Sequence, residues 1–163
     1  MIMQTTLKFL LSLSISFWVG SIFFFSFFAA PSIFKILPRE SAGNVVSDIF
    51  PKYYLVAYIC GSVAVLASIA LLIIGNHRFS GLYGLRLIAL LIMLGLALYA
   101  GQVVRPQASD VRAEMRIVGE DSPKYLELRK NFSRLHMHSA ILNLVIFIAG
   151  VALVFINAYT YRD

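Results

Sequence analysis

The side chains best equipped for chemistry lie together at residues 136–143. His136-Met137-His138 combines imidazole and thioether groups, a set that suits copper. Consecutive residues of a helix point about 100° apart, so this triplet cannot converge on one ion while its helix is intact. A two-histidine site on a helix prefers a spacing of four, whereas His136 and His138 are two apart. His136 alone is admissible as an axial haem ligand, a role that needs no second ligand nearby in sequence. A histidine hydrogen-bonded to a neighbouring helix satisfies the same pattern. Ser139 and Asn143 follow on the face of His136. Positions 136, 139, 143, 146, 150, 153 and 157 read His, Ser, Asn, Ile, Gly, Leu, Asn, one stripe of a helix. Unpartnered polar groups are costly in hydrocarbon, so this stripe should face protein rather than lipid.

Two further residues join the candidate set. Trp18 can stack on a ligand, fill volume or anchor at the interface. Arg86, one turn inside an apolar stretch, either snorkels to headgroups or lines an internal path. His136, Ser139, Asn143, Trp18 and Arg86 are therefore the candidate path-lining residues. The single cysteine, Cys60, allows no internal disulfide and reads as a small core residue, and His77 reads as a solvated turn residue. No nucleophile–base pair, phosphate loop or paired carboxylate falls within the apolar stretches, and every Asp and Glu lies outside them. That argues against a carboxylate proton relay at mid-membrane, and the reading leans away from an enzyme.

The elements that must hold these residues follow from composition. Of 163 residues, 60% are hydrophobic and 13% charged, far from a soluble domain's balance. Four stretches carry no charge: 9–34, 53–76, 87–104 and 139–161. Each approaches or exceeds the ~20 residues a helix needs to cross a hydrocarbon core of about 30 Å. No strand-like alternation runs through them, and lipid permits only helices or closed barrels. The expectation is an all-α, polytopic four-helix bundle in one transmembrane domain, residues 1–163. Its helices are placed at about 9–30, 54–75, 82–103 and 123–161, the last entering the membrane from about 137. Helix 1 is expected to be retained rather than cleaved as a signal and to end before Pro31.

Small residues mark packing faces: Ser12, Ser16 and Gly20 on the first helix, and Ala57, Gly61, Ala64 and Ser68 on the second. Tyr53, Tyr54 and Tyr58 fall where an aromatic belt is expected. The short 75–81 turn makes helices 2 and 3 antiparallel neighbours. The first and third connectors carry amphipathic patterns at 39–50 and 107–118, which predict interfacial helices, with Pro106 closing helix 3. Gly119 should end the second of these, and Ser122-Pro123 should start the next helix as N-cap and first-turn proline.

Ten of the 14 Lys and Arg residues lie in those two connectors. The positive-inside rule then puts both connectors in the cytoplasm and both termini outside it, in the plasma (inner) membrane. The expected partners are the bilayer, anionic headgroups at the connectors and a second copy of the chain. The net charge of +6 is concentrated beside the spans, so it does not point to nucleic acid.

Several local patterns fit together. Trp18-x-Gly20 with Phe24, Ala30-Pro31-x-x-Phe34, Ala42-Gly43 leading to Phe50-Pro51-x-Tyr53, and Phe132-x-x-Leu135-His136-x-x-Ser139-x-x-x-Asn143 resemble the transmembrane protein 205-like domain family. The resemblance spans most of the chain and implies a four-helix membrane domain of unassigned biochemistry. Its human-type members are associated with resistance to platinum drugs. It is grouped distantly with copper-resistance membrane proteins and with a haem-binding protoporphyrinogen oxidase type. Three readings follow: transport of, or resistance to, a metal or small xenobiotic; a haem or redox protein with His136 as axial ligand; and a scaffold or assembly factor.

Overall fold

Long uncharged stretches leave the backbone no partner but itself, and the chain folds accordingly. A computed structural model describes residues 2–75, 79, 81–119 and 121–160. It contains four helices long and apolar enough to cross a membrane: α1 Ile2–Ile36, α2 Arg39–Ile74, α3 Gly81–Val118 and α4 Pro123–Thr160. The turn at His77 lies outside the described residues. The helices pack in chain order around a square, α1 on α2 and α4, α3 on α2 and α4, so α1 faces α3 and α2 faces α4 across the diagonals. Leu11, Ile15, Trp18, Ala57, Ala64, Leu90, Met93, Ile146 and Leu153 fill the centre.

The helices are longer than expected because neither Pro31 nor Pro106 stops one. A proline lacks an N–H, and its ring collides with the carbonyl four residues back. Here a five-residue π turn precedes each proline, Phe25–Ala29 in α1 and Ala100–Val104 in α3. The N–H of Ala30 bonds Phe25 O, and that of Arg105 bonds Ala100 O, both five residues back. The widened turn moves the crowded carbonyl aside, and the helix resumes. In the register of a π turn the missing N–H of Pro106 would have reached Gly101 O. Arg105 Nε supplies a donor to that oxygen at 3.2 Å. α2 passes through Pro51 without a π turn.

The amphipathic connector segments are helical, as their pattern requires. They prolong the spans instead of forming helices of their own. With 35 to 38 residues each, the helices run about 53–57 Å, well beyond the hydrocarbon thickness. The prolongations are tied together by Arg112 of α3. Its Nη1 bonds Ser47 Oγ at 2.6 Å and Gly43 O, and its Nη2 bonds Glu40 O and Asn44 Oδ1, each at 3.1 Å. Gly43 makes this possible, because a side chain there would occupy the space of the guanidinium. The turn into α4 matches its sequence signals. Gly119 adopts φ +77, and Lys124 N donates to Ser122 Oγ at 3.3 Å.

Candidate functional site

Two layers of polar side chains interrupt the apolar interior. One lies at the level of the π turns. Tyr53 of α2 donates from its hydroxyl to Asn143 Oδ1 of α4 at 3.0 Å, and Tyr54 OH meets Ser139 Oγ at 3.2 Å. Since α2 and α4 are diagonal neighbours, these bonds cross the axis of the bundle. Asn143 Nδ2 turns back to Ser139 O at 3.1 Å, which fixes the amide's orientation toward Tyr53. Gln102, inside the α3 π turn, donates to Tyr58 OH at 3.3 Å. Aromatic rings enclose the group: Tyr53 and Tyr54 meet edge-on at 5.2 Å, Tyr58 stacks on Tyr54 at 6.3 Å, and Phe25, from the α1 π turn, lies 5.4 Å from Tyr53. Gly101 admits this packing, for a Cβ there would strike Tyr58 OH and come within 2.8 Å of Tyr54 Cγ. All four helices thus contribute, with both π turns in the same slice.

The second layer lies about 21 Å away, 14 residues along α4 from Asn143 to Asn157. Arg86 is fully buried there; its Nε donates to Ser68 Oγ at 3.3 Å and its Nη1 to Asn157 Oδ1 at 3.4 Å. Its guanidinium carbon also sits 5.1 Å from the centre of the Tyr83 ring, a cation–π contact. Asn157 Nδ2 is buried with no hydrogen-bond partner among the described residues. Arg86 is therefore turned into the bundle rather than snorkelling outward.

Between the layers the bundle is closed by packing. Trp18, 1% exposed, lies against Gly61, where an added Cβ would meet its ring at 3.0 Å. It fills volume. Gly150 of α4 is likewise covered by Val19 of α1.

The helix-4 stripe turns inward along most of its length: Ile146, Gly150, Leu153 and Asn157 are buried, and Ser139 and Asn143 are half-buried. His136 departs from it. Its side chain is exposed, and its ring stacks on Phe132 one turn back, at 6.3 Å. His138 is exposed against Tyr99 of α3, at 5.8 Å. Among the described residues no three His, Cys, Asp or Glu side chains gather as a metal site. His136 thus stands on the outside of α4, apart from the two polar layers of the interior.

The partners of Asn143 and Ser139 on the diagonal helix are Tyr53 and Tyr54. A signal for this exists in the sequence: Tyr54, Ala57, Gly61, Ala64, Ser68 and Leu71 share one helical face, and all are buried. The tyrosines belong to the packing face rather than to a lipid-facing belt. The Ser12-Ser16-Gly20 seam is turned mostly outward, since Leu11, Ile15, Trp18 and Ile22 take the inner face of α1.

Residues 13–117 match a family model described as a domain of unknown function, DUF4149. The match takes in both π turns and the tyrosines but ends before α4. A 40-residue stretch is 50% identical to an uncharacterized protein of Aquifex aeolicus (strain VF5), covering 24% of this chain and 30% of that protein. The aligned part therefore spans under a third of that relative's length. No solved structure matches.

Proposed function

The chain belongs to the DUF4149 family of domains of unknown function, and from that premise we propose that it handles a small molecule or metal complex, in transport or resistance, at the tyrosine–amide layer. One observation carries the reading. Hydroxyl and amide groups of α2 and α4 are bonded across the bundle, with Gln102 of α3 at its exposed edge, in the one slice where α1 and α3 both adopt π turns. Polar groups bonded between membrane helices often line solute paths, and π turns recur at functional sites. Tyrosine faces and amide oxygens suit a cationic or polar solute, and the weakened ladder beside each proline gives α1 and α3 a place to bend. Arg86, Ser68 and Asn157 form a second polar layer, separated from the first by packed side chains.

The transmembrane protein 205-like grouping, with its relation to copper-resistance membrane proteins, belongs to the same proposal. So do an inner-membrane location, non-cytoplasmic termini and self-association. The haem alternative would require His136 to leave its stack on Phe132. The scaffold reading is favoured by the helical prolongations, whose polar sides are exposed to solvent.

The test is expression in a host sensitive to copper, silver and platinum complexes, with cell metal content measured by mass spectrometry. Wild type should raise tolerance and lower metal content for at least one compound. Tyr54→Phe and Asn143→Leu should remove the effect at unchanged protein level, and His136→Ala should leave it. Unchanged tolerance and content for every compound with the wild type would end the transport and resistance reading.

A further inference from the structure

A basic groove runs along the outer side of α4, separate from the layers inside the bundle. It has a volume of about 760 Å³ and is lined by Leu126, Arg129, Lys130, Ser133, Arg134, Met137, His138 and Ile141. No acidic side chain lines it. Two other lysines of the connectors are matched: Lys52 pairs with Asp48 at 2.5 Å and Lys124 with Glu114 at 2.6 Å. Arg129, Lys130 and Arg134 have no such partner among the described residues, and all three are exposed. Below them the same side of the helix turns apolar, and Met137, Ile141, Leu144, Val145 and Ile148 are all between 47% and 60% exposed.

The geometry points to a binding site for one anionic phospholipid, its phosphate held by Arg129, Lys130 and Arg134 and its acyl chains along Met137, Ile141 and Leu144. The order of chemistry along α4 selects this occupant. A soluble anion would use the cations and leave the apolar run bare, whereas a neutral lipid would leave three unmatched charges beside its headgroup. Only an amphiphile with an anionic head meets both halves at once. Ser133, between the basic residues at one turn's spacing, offers a hydroxyl to the same headgroup. This inference does not depend on the function proposed for the interior.

The experiment is native mass spectrometry of full-length protein released from nanodiscs of equal phosphatidylglycerol and phosphatidylcholine. Wild type should retain phosphatidylglycerol selectively, at one molecule per chain. Each basic residue beside an anionic surface contributes about 1 kcal/mol, so each of Arg129→Gln, Lys130→Gln and Arg134→Gln should weaken retention about five-fold. Lys35→Gln/Arg39→Gln, which removes exposed cations on the other hairpin, should not. Ser133→Trp leaves every charge in place but fills the groove, and should also release the lipid. Equal retention of the two lipids, or full retention by the triple Gln variant with its helical circular dichroism intact, would overturn the proposal. So would displacement of the lipid by millimolar inorganic phosphate, which would make the site one for a soluble anion.

Discussion

The bond from Tyr53 OH to Asn143 Oδ1, at 3.0 Å across the diagonal of the bundle, lends itself to a double-mutant cycle. Asn143→Leu keeps most of the side-chain volume but removes the acceptor and leaves the Tyr53 hydroxyl, 8% exposed as a residue, without its partner. Interhelical hydrogen bonds in membranes average about 0.6 kcal/mol and reach about 1.7. A buried hydroxyl left unsatisfied adds about 1 kcal/mol or more. The Nδ2 bond to Ser139 O is lost as well, but it lies within α4 and leaves an oxygen already used by its own helix. Asn143→Leu should therefore destabilise by about 1–2 kcal/mol and Tyr53→Phe by about 1. The double variant should fall short of their sum by about 1 kcal/mol, since neither partner is then left alone. Reversible unfolding in bicelles, followed by tryptophan emission from the buried Trp18, gives the free energies. His136→Ala, at an exposed position, should change stability by less than about 0.5 kcal/mol. Additive losses within about 0.5 kcal/mol would mean the bond couples nothing and the layer is held by packing alone. A loss at His136 equal to that at Asn143 would refute the inward face itself.

Gly101→Ala should cost about 1–3 kcal/mol because its Cβ has no room beside Tyr58 and Tyr54, and Tyr58→Phe should recover part of that loss in the same unfolding assay. Arg112→Ala should free the first turns of α2, raising hydrogen exchange at residues 39–47 well above that of the span below while leaving the Tyr53–Asn143 layer protected. In a Cys60→Ser background, an Ile117→Cys variant (85% exposed) should react with impermeant thiol reagents only from the cytoplasmic side, and Ile2→Cys (83% exposed) only from the other. The reverse labelling pattern would invert the orientation.

The number of spans, the inward stripe of helix 4 and the small-residue face of helix 2 were legible because they rest on cost. Charges and polar groups in lipid are penalised, so their positions reveal which surfaces are covered. The path of α1 and α3 was not legible, because proline is read as a stop on the strength of one lost hydrogen bond and one clash. Both are relieved by i→i−5 bonding, and nothing in the proline itself announces that. The tyrosine partners were missed for a different reason. Tyr53 and Tyr54 stand near a span's end, where belts are common, and positional expectation outweighed the periodicity that placed Tyr54 on the buried face. His136 was expected inward by extending the stripe one turn too far, to where α4 carries its exposed, basic portion. The small residues of helix 1 permit close approach without requiring it, and larger neighbours took the core.

The prolongation of α3 beyond its π turn has a mechanical consequence. Arg105–Val118 is a 14-residue rod, about 21 Å long, clamped to the start of α2 by Arg112 and Arg116 and joined to the span at the π turn. A tilt of about 10° there would swing its tip by about 4 Å, while residues at the π turn itself shift by fractions of an ångström. A small change at the Gln102–Tyr58 bond would thus be amplified into a larger movement at the far end of the rod.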